Sequence, residues 1–234
     1  MNTLDTAPWA WNARLLLESA RRLRDDLPAY LFVRHSHRLD PMTEQDPAIT
    51  DEGWAVATEF GQQLAGTSDR RYTIVHSPLR RCRETAEALQ AGIEVAGGIS
   101  TVDGPRDELL YLEGEIQEPN REGEGNLDYV NYWAFGLYAP EIVEPATHYG
   151  RRVAEMVLSI PIPEGDPATT VILVSHDDRL QAFRAVATGI PVDDRWMPYL
   201  GGYILQFPSG RLVVYHRAQH GKSVPYPCWW PSMP

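Results

Sequence analysis

The 234-residue sequence has few of the features that mark secreted, membrane or nucleic-acid-binding proteins. Its two cysteines, Cys82 and Cys228, are too few for a disulfide scaffold, which favours a reduced, cytoplasmic setting. No basic segment leads into an apolar run at the N-terminus, and no apolar stretch approaches the ~18 residues of a membrane span. We therefore expect neither secretion nor membrane contact. The net charge of -11 argues against nucleic-acid binding, because phosphate backbones need clustered Lys and Arg.

The remaining composition is that of an ordinary globular protein, 43% apolar and 23% charged, without internal repeats. We expect a single domain over 1–234, with 113–148 as an insertion or lid and 217–234 as an irregular tail. The insertion is acidic and rich in aromatic residues at 129–138. These fit a lid over a site and ordinary packing of a long insertion equally well. An oligomer is possible, but the sequence gives no support for one.

Strand-like and helix-like segments alternate along the chain. We expect buried strands at 30–33, 72–76 and 170–175, and a helix at 177–188. Asn12 and Thr50 are candidate helix caps, and Ser77 followed by proline is a strong helix start. Two alternating segments near the C-terminus, at 202–207 and 211–216, suggest a hairpin. This order favours an α/β three-layer sandwich, a mostly parallel sheet with helices on both faces and an antiparallel C-terminal edge.

Polar residues follow three of the predicted strands, at 34–38, 77–81 and 175–177. Open α/β sheets bind ligands in the crevice at the carboxyl ends of their strands, so these segments are expected to converge. Together they supply histidines, arginines and carboxylates. That set suits phosphoryl transfer, because the arginine fork matches phosphate oxygens and a neutral imidazole can attack phosphorus. A second histidine can stabilise charge, and a carboxylic acid can protonate the departing alkoxide.

The same segments resemble a known family. The runs LFVRH at 31–35, SPLRR at 77–81 and VSH at 174–176, with TDEG at 50–53, look like motifs of the histidine phosphatase superfamily, in the same order. This superfamily includes phosphoglycerate mutase-like and histidine acid phosphatase-like enzymes. The resemblance implies that His35 is the nucleophile and that Arg34, Arg81 and His176 bind phosphate. It implies no metal ion and no cofactor.

The resemblance leaves the general acid open between two residues. Arg38 as a further phosphate ligand and Asp177 as the proton donor fit the acid phosphatase-like branch, which we favour slightly. In the mutase-like branch the acid is a glutamate after the second strand–helix unit, which here is Glu108. Ser36 replaces the glycine that usually follows the nucleophile, so its hydroxyl is expected either to join the pocket or to alter the backbone.

We therefore expect a phosphomonoester hydrolase that forms a phosphohistidine and acts on a small phosphorylated metabolite. One rival is a metal-dependent hydrolase, with ligands drawn from His35, His37, His76, His176 and Asp177, although three arginines would disfavour a cation. The others are a non-catalytic phospholigand-binding protein on the same fold and a strict phosphomutase. Cys82 follows an arginine but lies on an apolar helix face, so we expect it in the core.

Overall fold

The computed structural model describes residues 3–39, 46–110, 125–163, 168–218 and 220–231. The strands are β1 (Ala29–Arg34), β2 (Arg71–His76), β3 (Ser100–Pro105), β4 (Thr169–Ser175), β5 (Gly202–Gln206), β6 (Arg211–Tyr215) and β7 (Lys222–Pro225). The helices are α1 (Thr3–Thr6), α2 (Trp11–Ala20), α3 (Asp51–Ala65), α4 (Arg80–Val95), α5 (Asn126–Ala134), α6 (Ala146–Ser159) and α7 (Asp177–Thr188). Short 3-10 helices occupy Pro8–Ala10 and Asp107–Leu109. Among the helices described, none is long and apolar enough to cross a membrane.

All strands form one sheet in the order β3-β2-β4-β1-β5-β6-β7. The pairs within β3-β2-β4-β1 are parallel, whereas β5, β6 and β7 each pair antiparallel with the preceding neighbour. The predicted fold class is therefore confirmed. Because β1, β4 and β2 are parallel neighbours, their carboxyl ends lie side by side at one edge of the sheet.

Side chains alternate between two cores, one on each face of the sheet. In β1, Tyr30 and Phe32 join a core that includes residues of α5, α6 and α7. Leu31 and Val33 join a second core that includes residues of α1 to α4. Both faces of the strand are buried, which explains why its sequence is a continuous apolar run. The predicted helices on both faces of the sheet are present.

Two of the three predicted helix caps are wrong, and a tertiary contact explains each. Thr50 does cap α3, accepting a hydrogen bond from the Gly53 amide at 3.0 Å. Asn12 instead lies inside α2, where its Oδ1 accepts from the amide of Gly202 at the start of β5. Ser77 precedes α4, which begins at Arg80, and its hydroxyl bonds a histidine described below. In both cases the side chain that we assigned to a helix cap instead forms a hydrogen bond with a buried group distant in sequence.

The structure corrects the expectation of an irregular tail. Strand β7 lies within 217–234 and pairs antiparallel with β6, which otherwise would present an edge of unpaired backbone groups. Beyond it, Trp230 is buried against the core under α7. Strand β3 was not predicted, because its sequence carries little apolar alternation. It completes the opposite edge of the sheet beside β2.

The predicted insertion lies partly outside the described residues, at 113–124. Its described part contains α5, whose Tyr129, Val130 and Trp133 are buried in the core. The indole N–H of Trp133 donates to the Glu144 carbonyl at 2.7 Å. Ordinary packing therefore accounts for these aromatic residues, whereas Phe135 is 68% exposed.

Candidate active site

A cavity of about 560 Å³ lies where β1, β2 and β4 end. Its described lining comprises Arg34, His35, Arg38, Arg81, Leu110, Asn126, His176, Asp177, Asp178, Arg179 and Trp196. Six of the seven predicted site residues are therefore brought together, from three segments far apart in sequence. Glu108 is not among the described residues that line the cavity.

His35 follows β1 directly and is buried. Its Nδ1 lies 2.8 Å from the Ser36 carbonyl oxygen. Because a carbonyl can only accept, Nδ1 carries the proton and Nε2 carries the lone pair. Burial and the charge of Arg34 lower the pKa of His35 well below its ordinary value. The imidazole is therefore neutral near pH 7, in the tautomer that leaves Nε2 available as a nucleophile or ligand.

Ser36 takes the position of the expected glycine without disturbing the backbone. Its φ is not among the positive values found in the described residues. Its hydroxyl donates to the Gly53 carbonyl at 2.7 Å, and its amide donates to the Thr85 hydroxyl at 2.9 Å. Ser36 therefore does not line the cavity. It fastens the turn after β1 to α3 and α4.

Arg81, in the first turn of α4, contacts both histidines of the site. Its Nε donates to His35 Nε2 at 3.2 Å, and its Nη2 lies 3.3 Å from His176 Nδ1. Since a guanidinium only donates, His176 Nδ1 accepts and Nε2 carries the proton, which the Ser77 hydroxyl receives at 2.9 Å. Burial, and then Arg81, lower the pKa of His176 to about 3. The second histidine is therefore also neutral.

Arg34 is held at the end of β1 by three groups. Its Nη1 donates to the Met197 carbonyl at 2.7 Å, and its Nη2 pairs with Asp177 Oδ2 at 3.0 Å. The ring of Tyr199 lies 4.2 Å below its guanidinium carbon. The indole of Trp196 donates to the same Asp177 oxygen at 2.7 Å. These contacts fix the plane of the guanidinium at the cavity wall.

Arg34 Nε and Arg81 Nη1 are buried guanidinium nitrogens of the site that lack a hydrogen bond partner among the described residues. Asp46 lies 3.6 Å from the latter as an ion pair. Unsatisfied donors at a cavity wall are costly unless a ligand completes them. An anion with several oxygens is the group that would bind to such donors.

Among the described residues, no group of three or more His, Cys, Asp or Glu side chains is placed to hold a metal ion. His37 is turned away from the cavity, because its Nδ1 bonds the Thr50 hydroxyl at 2.9 Å and its ring stacks on Trp9. Cys82 is fully buried in the core, as expected, and burial raises the pKa of its thiol to about 12.

Sequence reasoning missed Ser77, Trp196 and Tyr199 as parts of the site. We assigned Ser77 to a helix cap. Its position in the same motif as Arg81 was the feature of the sequence that could have indicated a role in the site. Trp196 and Tyr199 lie in the irregular segment between α7 and β5, where no motif or periodicity marks them. Their roles depend on a contact with Asp177 and Arg34 that only the folded chain forms.

Comparison with known proteins agrees with this geometry. The model of the histidine phosphatase superfamily, branch 1, matches residues 30–216. Among solved structures, YhfR of Bacillus stearothermophilus has a TM-score of 0.55 at 22% identity, over 82% of this chain and 98% of its own. A mycobacterial glucosyl-3-phosphoglycerate phosphatase has a TM-score of 0.53 at 21% identity, over 85% of this chain and 97% of its own.

The product of open reading frame Rv3214 from Mycobacterium tuberculosis is similar too, with a TM-score of 0.52 at 21% identity, over 85% of this chain and 96% of its own. No curated protein sequence matches the chain significantly. At these identities the three structures establish the fold alone, whereas the family model covers well over half of the sequence. This match is to the mutase-like branch, so our slight preference for the acid phosphatase-like branch is wrong. The chain therefore belongs to the histidine phosphatase superfamily, branch 1.

Proposed function

We propose that this protein is a phosphomonoester hydrolase that works through a phosphohistidine on His35. One observation carries the proposal. The buried, neutral His35 turns Nε2 toward the cavity, where its lone pair accepts from Arg81 Nε at 3.2 Å, while Nδ1 is held by the Ser36 carbonyl. Attack on phosphorus therefore requires Arg81 Nε to exchange this lone pair for a phosphate oxygen. The imidazole of His35 is thus in the tautomer that a nucleophilic Nε2 requires, and the neighbouring side chains are cationic.

The first step transfers the phosphoryl group to the protein. Nε2 of His35 attacks phosphorus, the P–N bond forms, and the bond between phosphorus and the alcohol oxygen breaks. A general acid gives its proton to the departing alkoxide. In the second step, water attacks phosphorus and loses a proton to the same carboxylate. Inorganic phosphate leaves, and His35 regains its lone pair.

Charge on the equatorial oxygens is stabilised by the cationic wall. Arg81 Nη1 and Arg34 Nε are the donors that an incoming phosphate would satisfy. His176 Nδ1 accepts from Arg81, so phosphate binding requires this imidazole to gain a proton or to give up that contact. Arg38 lines the same cavity and is proposed as the third phosphate-binding arginine.

Two residues are candidates for the general acid, and we propose Glu108 first, in the 3-10 helix after β3, because the branch 1 match favours the acid of the mutase-like enzymes. Asp177 is the second candidate: it lines the cavity, but its Oδ2 accepts from both Arg34 and Trp196. We would compare Asp177→Asn and Glu108→Gln on an alkyl phosphate and on p-nitrophenyl phosphate. The loss of the true acid slows the alkyl ester far more, since a good leaving group needs no proton. Equal losses on both esters would exclude the residue as the acid.

The proposal itself is tested by steady-state hydrolysis of p-nitrophenyl phosphate. His35→Gln should abolish turnover, while His148→Gln, which changes an exposed histidine of α6, serves as the matched control. Turnover by His35→Gln at the normal rate would refute the mechanism. Phosphate binding by the wild type without any turnover would instead favour a non-catalytic phospholigand-binding protein. Inhibition by a strong chelator would favour the metal-dependent rival.

The substrate is proposed to be a small phosphorylated metabolite, and the scarcity of cysteine supports a cytoplasmic location. The mycobacterial relative is, by its name, a phosphatase of glucosyl-3-phosphoglycerate. We carry over only the hydrolysis of a phosphate monoester. The net charge of -11 argues against nucleic acid as a binding partner.

A further inference from the structure

The charges around the cavity are nearly balanced by one phosphate group. The described lining contains four arginines and two aspartates, a net charge of +2. Both histidines are neutral, because their pKa values are lowered by burial. Asp46, outside the lining, pairs with Arg81 and reduces the positive charge further. The dianion of a phosphate monoester therefore uses up the positive charge that these residues provide.

Arg179, the fourth of these arginines, is already committed to protein groups. Its Nη1 pairs with Asp178 Oδ2 at 2.9 Å, and its Nε donates to the Leu110 carbonyl at 3.0 Å. Its guanidinium carbon lies 5.4 Å from the ring centre of Trp133. A second anionic group of a substrate would have to displace Asp178 from this guanidinium. It would also lie beside two carboxylates, which repel it.

The described lining as a whole is predominantly polar. Its described members other than charged residues and the histidines are Leu110, Asn126 and Trp196. Trp196 uses its indole N–H on Asp177, which leaves the ring as an apolar surface. Carboxylate oxygens are strong acceptors for hydroxyl groups, and an indole ring packs against the C–H groups of a hydroxylated chain. An aliphatic or aromatic leaving group would desolvate these carboxylates without bonding them.

We propose that the substrate is a monophosphate ester of a hydroxylated alcohol that carries no other charge, such as a polyol or sugar monophosphate. The inference rests on the phosphatase function proposed above. It concerns the leaving group only, so the two can fail separately. Discrimination comes from Asp178, which neutralises Arg179, and from the absence of another unpaired cation in the described lining.

The sharpest test compares glycerol 3-phosphate with 3-phosphoglycerate. These esters have the same length and the same phosphate, and they differ only in a hydroxymethyl group against a carboxylate. We expect kcat/KM to favour glycerol 3-phosphate by on the order of tenfold or more, since two carboxylates face the added charge. Glucose 6-phosphate against 6-phosphogluconate repeats the comparison with a longer chain. Fructose 1,6-bisphosphate and a phosphoserine peptide complete the panel, and both should be poorer substrates than glucose 6-phosphate.

A charge variant shows whether Asp178 sets the preference. Asp178→Asn keeps the shape of the side chain but releases Arg179 from its ion pair and adds one positive charge to the cavity. The preference for glycerol 3-phosphate over 3-phosphoglycerate should fall by about tenfold. Glu87→Gln removes the same charge from the exposed pair with Arg83, outside the cavity, and should leave the ratio unchanged.

Three results would overturn the inference while leaving the phosphatase function intact. They are equal or faster hydrolysis of 3-phosphoglycerate by the wild type, a preference for the bisphosphate or the phosphopeptide, and an unchanged ratio in Asp178→Asn. In each of them p-nitrophenyl phosphate is still hydrolysed through His35. If no ester is hydrolysed and no phosphate is found on His35, the proposed function fails and this inference fails with it.

Discussion

Replacing Arg81 by lysine separates the geometry of the guanidinium from its charge. Nε contacts His35 at 3.2 Å, Nη2 contacts His176 at 3.3 Å, and Nη1 is a buried donor without a hydrogen bond in the described part of the chain. A single ammonium cannot occupy three positions of a planar fork, although it keeps the positive charge. Loss of one donor to a transition-state oxyanion costs about 3–4 kcal/mol, or ~10²–10³ in kcat. We therefore expect kcat of Arg81→Lys to be at least about a hundredfold lower than that of the wild type.

The assay is steady-state hydrolysis of p-nitrophenyl phosphate, with thermal unfolding to confirm that the variant is folded. Arg83→Lys is the matched control, because Arg83 lies two residues further along α4 and its side chain is 52% exposed in a pair with Glu87. It should change kcat/KM by less than about twofold, as expected for an exposed ion pair. The reasoning would be refuted by a fully active Arg81→Lys, or by equal losses in the two variants.

Three further predictions follow from the surroundings of the site. Ser77→Ala leaves the Nε2 proton of the buried His176 without its acceptor, a loss of about 1–3 kcal/mol; kcat should fall about tenfold at similar KM, and Ser77→Thr should restore it. Ser36→Gly removes the bond to the Gly53 carbonyl and makes the unfolded backbone more flexible, so kcat/KM should stay within about threefold and stability should fall by about 1–2 kcal/mol in urea unfolding; a loss of activity comparable to that of Arg81→Lys would place the hydroxyl in the pocket after all. Burial lowers the folded-state pKa of His176 and of His216 to about 3. Below about pH 6.5 these histidines therefore bind protons in the unfolded chain but not yet in the folded one. The free energy of unfolding is thus highest above pH 6.5 and falls as the pH drops toward 3, by about 2 kcal/mol per histidine between pH 6.5 and 5. Urea midpoints at several pH values would measure it; His216→Gln should flatten the slope, and equal slopes would contradict the assignment.

The fold class was predictable because the central strands carry their own signal. A buried parallel strand is apolar on both faces, and each of β1, β2 and β4 ends on a polar motif. Parallel neighbours must align their carboxyl ends, so convergence of Arg34, Arg81 and His176 followed from topology. Edge strands β3 and β7 lack that signal, since their pairing is decided by the neighbouring strand.

Other parts of the site were not predictable from local rules. Ser77 fits the sequence pattern of a helix cap, yet its hydroxyl instead accepts a hydrogen bond from Nε2 of the buried His176. Tyr199 and Trp196 act through contacts with residues distant in sequence, and their own segment has no periodicity. Ser36 illustrates the reverse case. Glycine was expected there, but the backbone needs no positive φ, and the added hydroxyl finds an acceptor in α3.

The most direct test of the central claim is a rapid-quench experiment with a radiolabelled phosphate ester. The account predicts transient labelling of the wild-type chain by an acid-labile, alkali-stable phosphate, which peptide mass spectrometry locates on His35. His35→Gln should remain unlabelled under the same conditions. Hydrolysis with full burst kinetics but no labelled protein, or label on a residue other than His35, would contradict the phosphohistidine mechanism.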